Sequence, residues 1–161
     1  QVKDIINEDE DANVFDFYTE EQEYTDICER VKSYADACAV LGVGKMDEKA
    51  MKACSFRPDE IARRKLETIT EALNEGWRPD WSNTDEPKYY PWFYIKPDAG
   101  KDAEVKPSGA AAGLAYAHTA YAASYTAAYL GSRLCFHERR TAAYAGDTFR
   151  DLYAQILVEK F

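Results

Sequence analysis

The chain is expected to fold as an α+β domain, a small antiparallel sheet with three or four flanking helices. Three observations predict it. First, Gly76–Ile95 (GWRPDWSNTDEPKYYPWFYI) gathers Trp77, Trp81 and Trp92 with Tyr89, Tyr90, Phe93 and Tyr94 into twenty residues. Side chains that bury so much area nucleate a core or a binding surface, and Pro79, Pro87 and Pro91 exclude a continuous helix. The stretch therefore reads as an extended crosspiece punctuated by turns, with Trp77 and Trp92 largely buried. Second, Leu130–Phe136 sets Leu130, Ser132, Leu134 and Phe136 against Gly131, Arg133 and Cys135, the alternation of a half-buried strand. Third, apolar residues recur at helical spacing on both sides of the crosspiece.

A length of 161 residues suits one domain with a sizeable core, and 46% hydrophobic with 30% charged residues is ordinary for a globule. No run has the roughly 18 apolar residues of a membrane span, and no signal peptide is visible. Charge is unevenly placed. Residues 1–24 carry nine acids against Lys3 alone, a net of −8 in a chain of −9. They read as an acidic arm, and residues 25–161, at −1, as the single α+β domain. A near-neutral body lacks the basic stripe that nucleic-acid binding uses, so neither nucleic acid nor membrane is expected as a partner. Cys28, Cys38, Cys54 and Cys135 are widely spaced without a C-x-x-C pair, which points to reduced, mostly buried thiols.

Along the arm, Ile5, Ile6, Val14, Phe15, Phe17 and Tyr18 alternate with the acids. Such a segment either lies on its own domain or orders against a partner or neighbouring subunit. Its deletion should leave the domain folded. Ser33 and Asp36 form a capping box for a helix through ADACAVL that stops at Gly42. A short helix follows Asp47 over Glu48–Cys54. Pro58 then opens the longest helix, with Asp59 and Glu60 complementing its dipole. Ile61, Ala62, Leu66, Ile69, Ala72 and Leu73 form its stripe, and Asn74–Gly76 end it.

After the crosspiece, Lys96–Gly109 has loop composition. Ala110–Tyr129 is ambiguous. Ten of the nineteen residues 110–128 are alanine, which favours helix. Yet Tyr121, Tyr125 and Tyr129, four apart, share one side of either a helix or a strand. A last helix is expected over about Thr141–Leu157, its stripe Ala145, Phe149, Leu152 and Ile156.

SYADACAVLG, EALNEGWRPDWSNTDEPKYYPWF and GSRLCF, followed by a helix carrying YAGDTFRDLY, give residues 30–157 a likeness to a known group. The chain resembles short proteins encoded by Bacteroides phages and related gut mobile elements. The resemblance implies a source rather than a reaction: a bacteriophage-type protein in the host cytoplasm or in a phage particle. It also implies an antiparallel sheet containing the YYPWF and GSRLCF strands. Ahead of GSRLCF such proteins are rich in Tyr, Ser, Thr and Asn, where this chain is rich in alanine.

Candidate sites follow. Ala115–Tyr129 uses only Ala, Tyr, Thr, Ser and His. Tyrosines spaced by small and hydroxylated residues give rigid amphipathic contacts, as in antibody paratopes. Codons for all five types can share an NNY pattern, the pattern of retroelement-diversified binding proteins. Tyr116, His118, Tyr121, Ser124, Tyr125, Thr126 and Tyr129 are therefore the candidate binding residues, for a protein or glycan ligand; a homo-oligomer is compatible. The bland alternative is an alanine-rich segment packed by its tyrosines. Cys135, His137 and His118 are the remaining donors for a metal or a Cys–His nucleophile. Positions 135 and 137 share a strand face, but the spacing matches no zinc pattern, and nothing marks an oxyanion hole. No catalytic residue, cofactor or metal is expected. A binding protein leads, with a virion or assembly protein that docks through the arm second and a small Cys135/His137 hydrolase third.

Overall fold

A computed structural model describes residues 25–95, 114–122 and 132–158, so the acidic arm and the Lys96–Gly109 loop lie outside the described residues. The fold is α+β, with six helices and a two-stranded antiparallel sheet among those residues. No helix there is long and apolar enough to cross a membrane.

The helices start and stop where side chains can satisfy their end groups. Helix α1, Ile27–Arg30, is a single turn whose Cys28 N–H donates to the Asp26 carboxylate at 2.9 Å. Helix α2, Tyr34–Leu41, begins on Ser33, whose Oγ accepts from the Asp36 N–H at 3.2 Å. The Asp36 carboxylate accepts in turn from the Ser33 hydroxyl and from the Lys32 N–H. The chain leaves α2 through Gly42 at φ +65°, a left-handed conformation that costs glycine nothing. Helix α3, Glu48–Ala53, is capped by Asp47. Helix α4, Pro58–Leu73, carries the predicted proline in its first turn, and its stripe Ile61, Ala62, Leu66, Ile69, Ala72 and Leu73 is buried throughout.

The sheet is built differently from the expectation. Strand β1, Lys88–Ile95, pairs with β2, Leu114–Ala122, which lies inside the alanine-rich segment. Residues 132–134 form a 3-10 turn, so the GSRLCF strand is not there. Phe136 makes an isolated bridge to β1, exchanging both backbone hydrogen bonds with Tyr89 at 3.0 and 2.9 Å. The reason is burial. Leu134, Cys135 and Phe136 are 1%, 2% and 0% exposed, and three consecutive buried residues make a plug rather than a two-faced strand. Alanine's preference for helix yields in turn to a neighbour that offers a ladder, because strand formation depends on pairing more than on intrinsic preference.

The Tyr89–Phe136 bridge also explains how a proline sits in β1. Backbone groups alternate sides along a strand. Tyr89 turns its N–H and C=O toward Phe136, away from β2, and Pro91 turns the same way. The missing N–H of Pro91 therefore removes nothing from the β1–β2 ladder. One step further on, the register slips between Trp92 and Phe93, with Trp92 opposite His118 and Phe93 opposite Tyr116, so Ala117 is the extra residue of a bulge.

The last helix is two. Helix α5, Arg139–Thr148, and α6, Arg150–Leu157, break at Phe149, where φ −106° and ψ 27° depart from helical values. Gly146, Asp147 and Thr148 are weak helix formers ahead of the break, and Asp147 pairs with Arg150 across it. The kink lets Ala145, Phe149, Tyr153 and Ala154 all reach the core beside Val31, Leu66, Ile69, Leu134 and Phe136. Phe93 meets Tyr153 there, ring centres 5.0 Å apart.

The crosspiece is less buried than its composition implies. Trp92 is 46% exposed and Trp77 is half-buried, because β1 turns Trp92 to the face opposite Phe93 and the core helices. Trp92→Ala is accordingly expected to cost about 1 kcal/mol or less, not the several kcal/mol of a core aromatic. Denaturant unfolding checks this, and a loss of about 3 kcal/mol would place Trp92 in the core after all.

Candidate functional site

The predicted binding residues divide between described and undescribed positions. Tyr116, His118 and Tyr121 are in β2, opposite Phe93, Trp92 and Tyr89 respectively. Ser124, Tyr125, Thr126 and Tyr129 lie outside the described residues. Tyr121 is 61% exposed, more than any other large apolar or aromatic side chain among the described residues. Its ring leans edge-on against Tyr89 at 5.9 Å. Behind them Arg139 lies over the Tyr89 ring at 5.7 Å and donates from Nη1 to the Thr119 carbonyl at 3.3 Å. Helix α5 thus holds the strand pair at the end that carries Tyr121.

Cys135 and His137 do not share a strand face, since no strand forms there. Cys135 is buried, and desolvation pushes its thiol up to about 11, so it is protonated at neutral pH. His137 is exposed and stacks on Trp77 at 5.1 Å. A nucleophile needs a thiolate within reach of a base, and this thiol is held in the opposite state. Among the described residues no group of three His, Cys, Asp or Glu converges to hold a metal. The four cysteines are free, with Cys28, Cys38 and Cys135 buried and Cys54 exposed. Burial, followed by the Asp26 charge, raises the Cys28 thiol to about 11 as well. A soluble disulfide reagent at neutral pH is expected to titrate Cys54 alone in the native chain, and all four thiols after denaturation. A second fast thiol before unfolding would contradict this burial.

A further concavity has no counterpart among the sequence-predicted sites. It is an open groove of ≈ 910 Å³ between α4, the α2–α3 region and the loop after α4. Its floor is the face of α4 that bears Arg64, Glu67, Thr70 and Glu71, and one wall is the pair Trp77 and Trp81. Construction of that wall starts at the end of α4. Gly76 takes φ +87°, a conformation strained for any other residue, and turns the chain into Trp77. Asn74 ties the turn to the 135–137 segment, donating to the Cys135 carbonyl at 2.9 Å and accepting from the His137 N–H at 3.1 Å.

Glu86 and Lys88 then close the loop. The Glu86 carboxylate accepts from the Trp77 indole N–H at 3.2 Å and from the Asp80 N–H at 2.9 Å. Lys88, with no exposed surface, donates to the Asp80 carbonyl at 2.6 Å and the Asn83 carbonyl at 3.0 Å, and meets Glu86 at 2.9 Å. Three acceptors match the three protons of an ammonium group, which is how a charge survives without water. Its hydrogen bond with Lys88 is the chief reason the Glu86 carboxyl lies below its ordinary range. Lys88 also sits 5.6 Å from the Trp81 ring centre. Nothing in sequence order announces this arrangement; the density of aromatic residues at 77–94 is the one signal that could have drawn attention to it.

No family model matches the chain, and no curated protein or solved structure is significantly similar to it.

Proposed function

We propose that the chain is a non-enzymatic binding protein of a phage or gut mobile element, at work in the host cytoplasm or in the particle. It engages a protein or glycan partner through the tyrosine-bearing surface of residues 115–129. The observation that carries this reading is Tyr121, a large aromatic side chain that is 61% exposed on a paired strand. A tyrosine on a regular element loses little conformational freedom on contact, and interface energy concentrates in such anchors. The five-residue alphabet of the segment and the likeness to mobile-element proteins point the same way.

The test separates recognition from packing before any partner is known. Tyr121→Ala, Tyr125→Ala and Tyr129→Ala should each leave unfolding free energy within about 0.5 kcal/mol of the parent, as exposed positions do. Against a captured partner, loss of an anchor should weaken binding by about 2 kcal/mol or more. Three strongly destabilised variants would assign these tyrosines to the core and overturn the proposal.

A further inference from the structure

Independently of the tyrosine surface, we infer that the groove between α4 and the Trp77–Trp81 wall is a binding site for a neutral saccharide.

The wall is prepared for stacking. Trp77 is held on one face by His137 and at its N–H by Glu86, and Lys88 lies over Trp81. Both indoles are half-buried, fixed from behind, and line the groove with what remains. The face of an aromatic ring is electron-rich, and the C–H face of a pyranose presents weakly positive hydrogens to it. Rings already immobilised add little ordering cost when a ligand arrives.

The charge of the groove selects the class of ligand. Arg64, Arg78 and Arg133 line it together with Glu67 and Glu71. Arg78 stands 3.8 Å from Glu71 and Arg133 3.8 Å from Glu67, ion-pair contacts longer than hydrogen bonds. An acidic ligand meets two carboxylates and a basic ligand meets three guanidinium groups. Either leaves like charges facing each other. A neutral ligand rich in hydroxyls uses both kinds of group, since each hydroxyl donates to a carboxylate and accepts from a guanidinium. At the floor, Thr70 lines the groove while only 1% exposed, and its hydroxyl is itself buried without a hydrogen-bond partner. The volume of ≈ 910 Å³ falls within the range of small-molecule and cofactor sites and accommodates a short oligosaccharide.

The experiment is a titration of the full chain, followed by tryptophan fluorescence, with four neutral hexasaccharides: cello-, chito-, malto- and manno-hexaose. Hexaglutamate and hexalysine serve as charged controls. A saturable change is expected with at least one saccharide at up to about 10 mM, the range of weak single-site affinities. It should be insensitive to added salt, because no net charge is neutralised. Trp81→Ala should weaken it at least about tenfold, as should Glu71→Gln, which keeps the fold if the tryptophan variant does not. Tyr121→Ala should leave it unchanged, so this test and the test of the tyrosine surface fail separately. Absence of a saturable change with all four saccharides overturns the inference. So does salt-sensitive binding of either charged peptide in their place, or saccharide binding that survives both groove substitutions.

Discussion

Replacing Lys88 with alanine is expected to destabilise the domain by about 3–5 kcal/mol, the cost of removing a buried charge whose partners are then left unpaired. The ammonium group joins Glu86 to the carbonyls of Asp80 and Asn83, and none of its side chain is exposed. Truncation would leave two carbonyls and a carboxylate turned toward a space that alanine does not fill. Lys88→Met should lose less, since it restores most of the volume and removes only the polar contacts. Denaturant midpoints for both variants check this. A Lys88→Ala loss under about 1 kcal/mol would mean the loop holds without its centre.

The same pair sets an acid dependence. The Glu86 carboxyl is lowered in the folded chain, chiefly by Lys88. A lowered acid contributes stability that is present above its unfolded pKa and is lost as pH falls through the folded one. Lys88→Ala should therefore flatten the acid limb of the stability profile as well as lowering its plateau.

Phe136→Ala should cost a comparable amount, about 3–5 kcal/mol, for a different reason. Phe136 is fully buried in the core, and its backbone makes both hydrogen bonds to Tyr89. Alanine keeps the backbone bonds but opens a cavity in that core. For a chain of this length each kcal/mol moves the thermal midpoint by about 2–4 °C, so a fall of roughly 10 °C is expected. A shift of a degree or two would show that the surroundings collapse into the space.

Local rules were legible and tertiary ones were not. Helices α2, α3 and α4 could be placed because their start signals, the caps Ser33 and Asp47 and the first-turn Pro58, act within four residues of themselves. Strand β1 was readable as extended from its prolines. The partner strand was not, because alanine spacing satisfies helix and strand alike, and only the offer of a ladder decides between them. The alternation at 130–136 misled for the converse reason. Leu134, Cys135 and Phe136 are all buried, so the segment has no solvent face, a circumstance that no two-residue period records. Of the candidate residues, Tyr121 was identifiable from composition. The groove was not, since it joins α4 to residues 77–81 and 133–135 through the Asn74 clamp and the Lys88 centre. Lys88 between Pro87 and Tyr89 reads as one more surface charge until the carbonyls of Asp80 and Asn83 converge on it.

Order of synthesis gives the contact between the two ends of the domain a meaning of its own. Tyr144 donates its hydroxyl to the Val31 carbonyl at 2.8 Å, and Arg140 pairs with Asp26, so α5 closes over α1. More than a hundred residues separate these partners, and the ribosome delivers them in sequence at about 5–20 residues per second. While α1 to α4 emerge, Val31, Leu66 and Ile69 have no α5 or α6 to cover them. The nascent chain therefore carries its apolar stripe uncovered for several seconds, and completion of the fold waits for the last helices to leave the exit tunnel. A stalled or truncated product lacking residues 139–158 would be a substrate for chaperones and proteases rather than a smaller working domain.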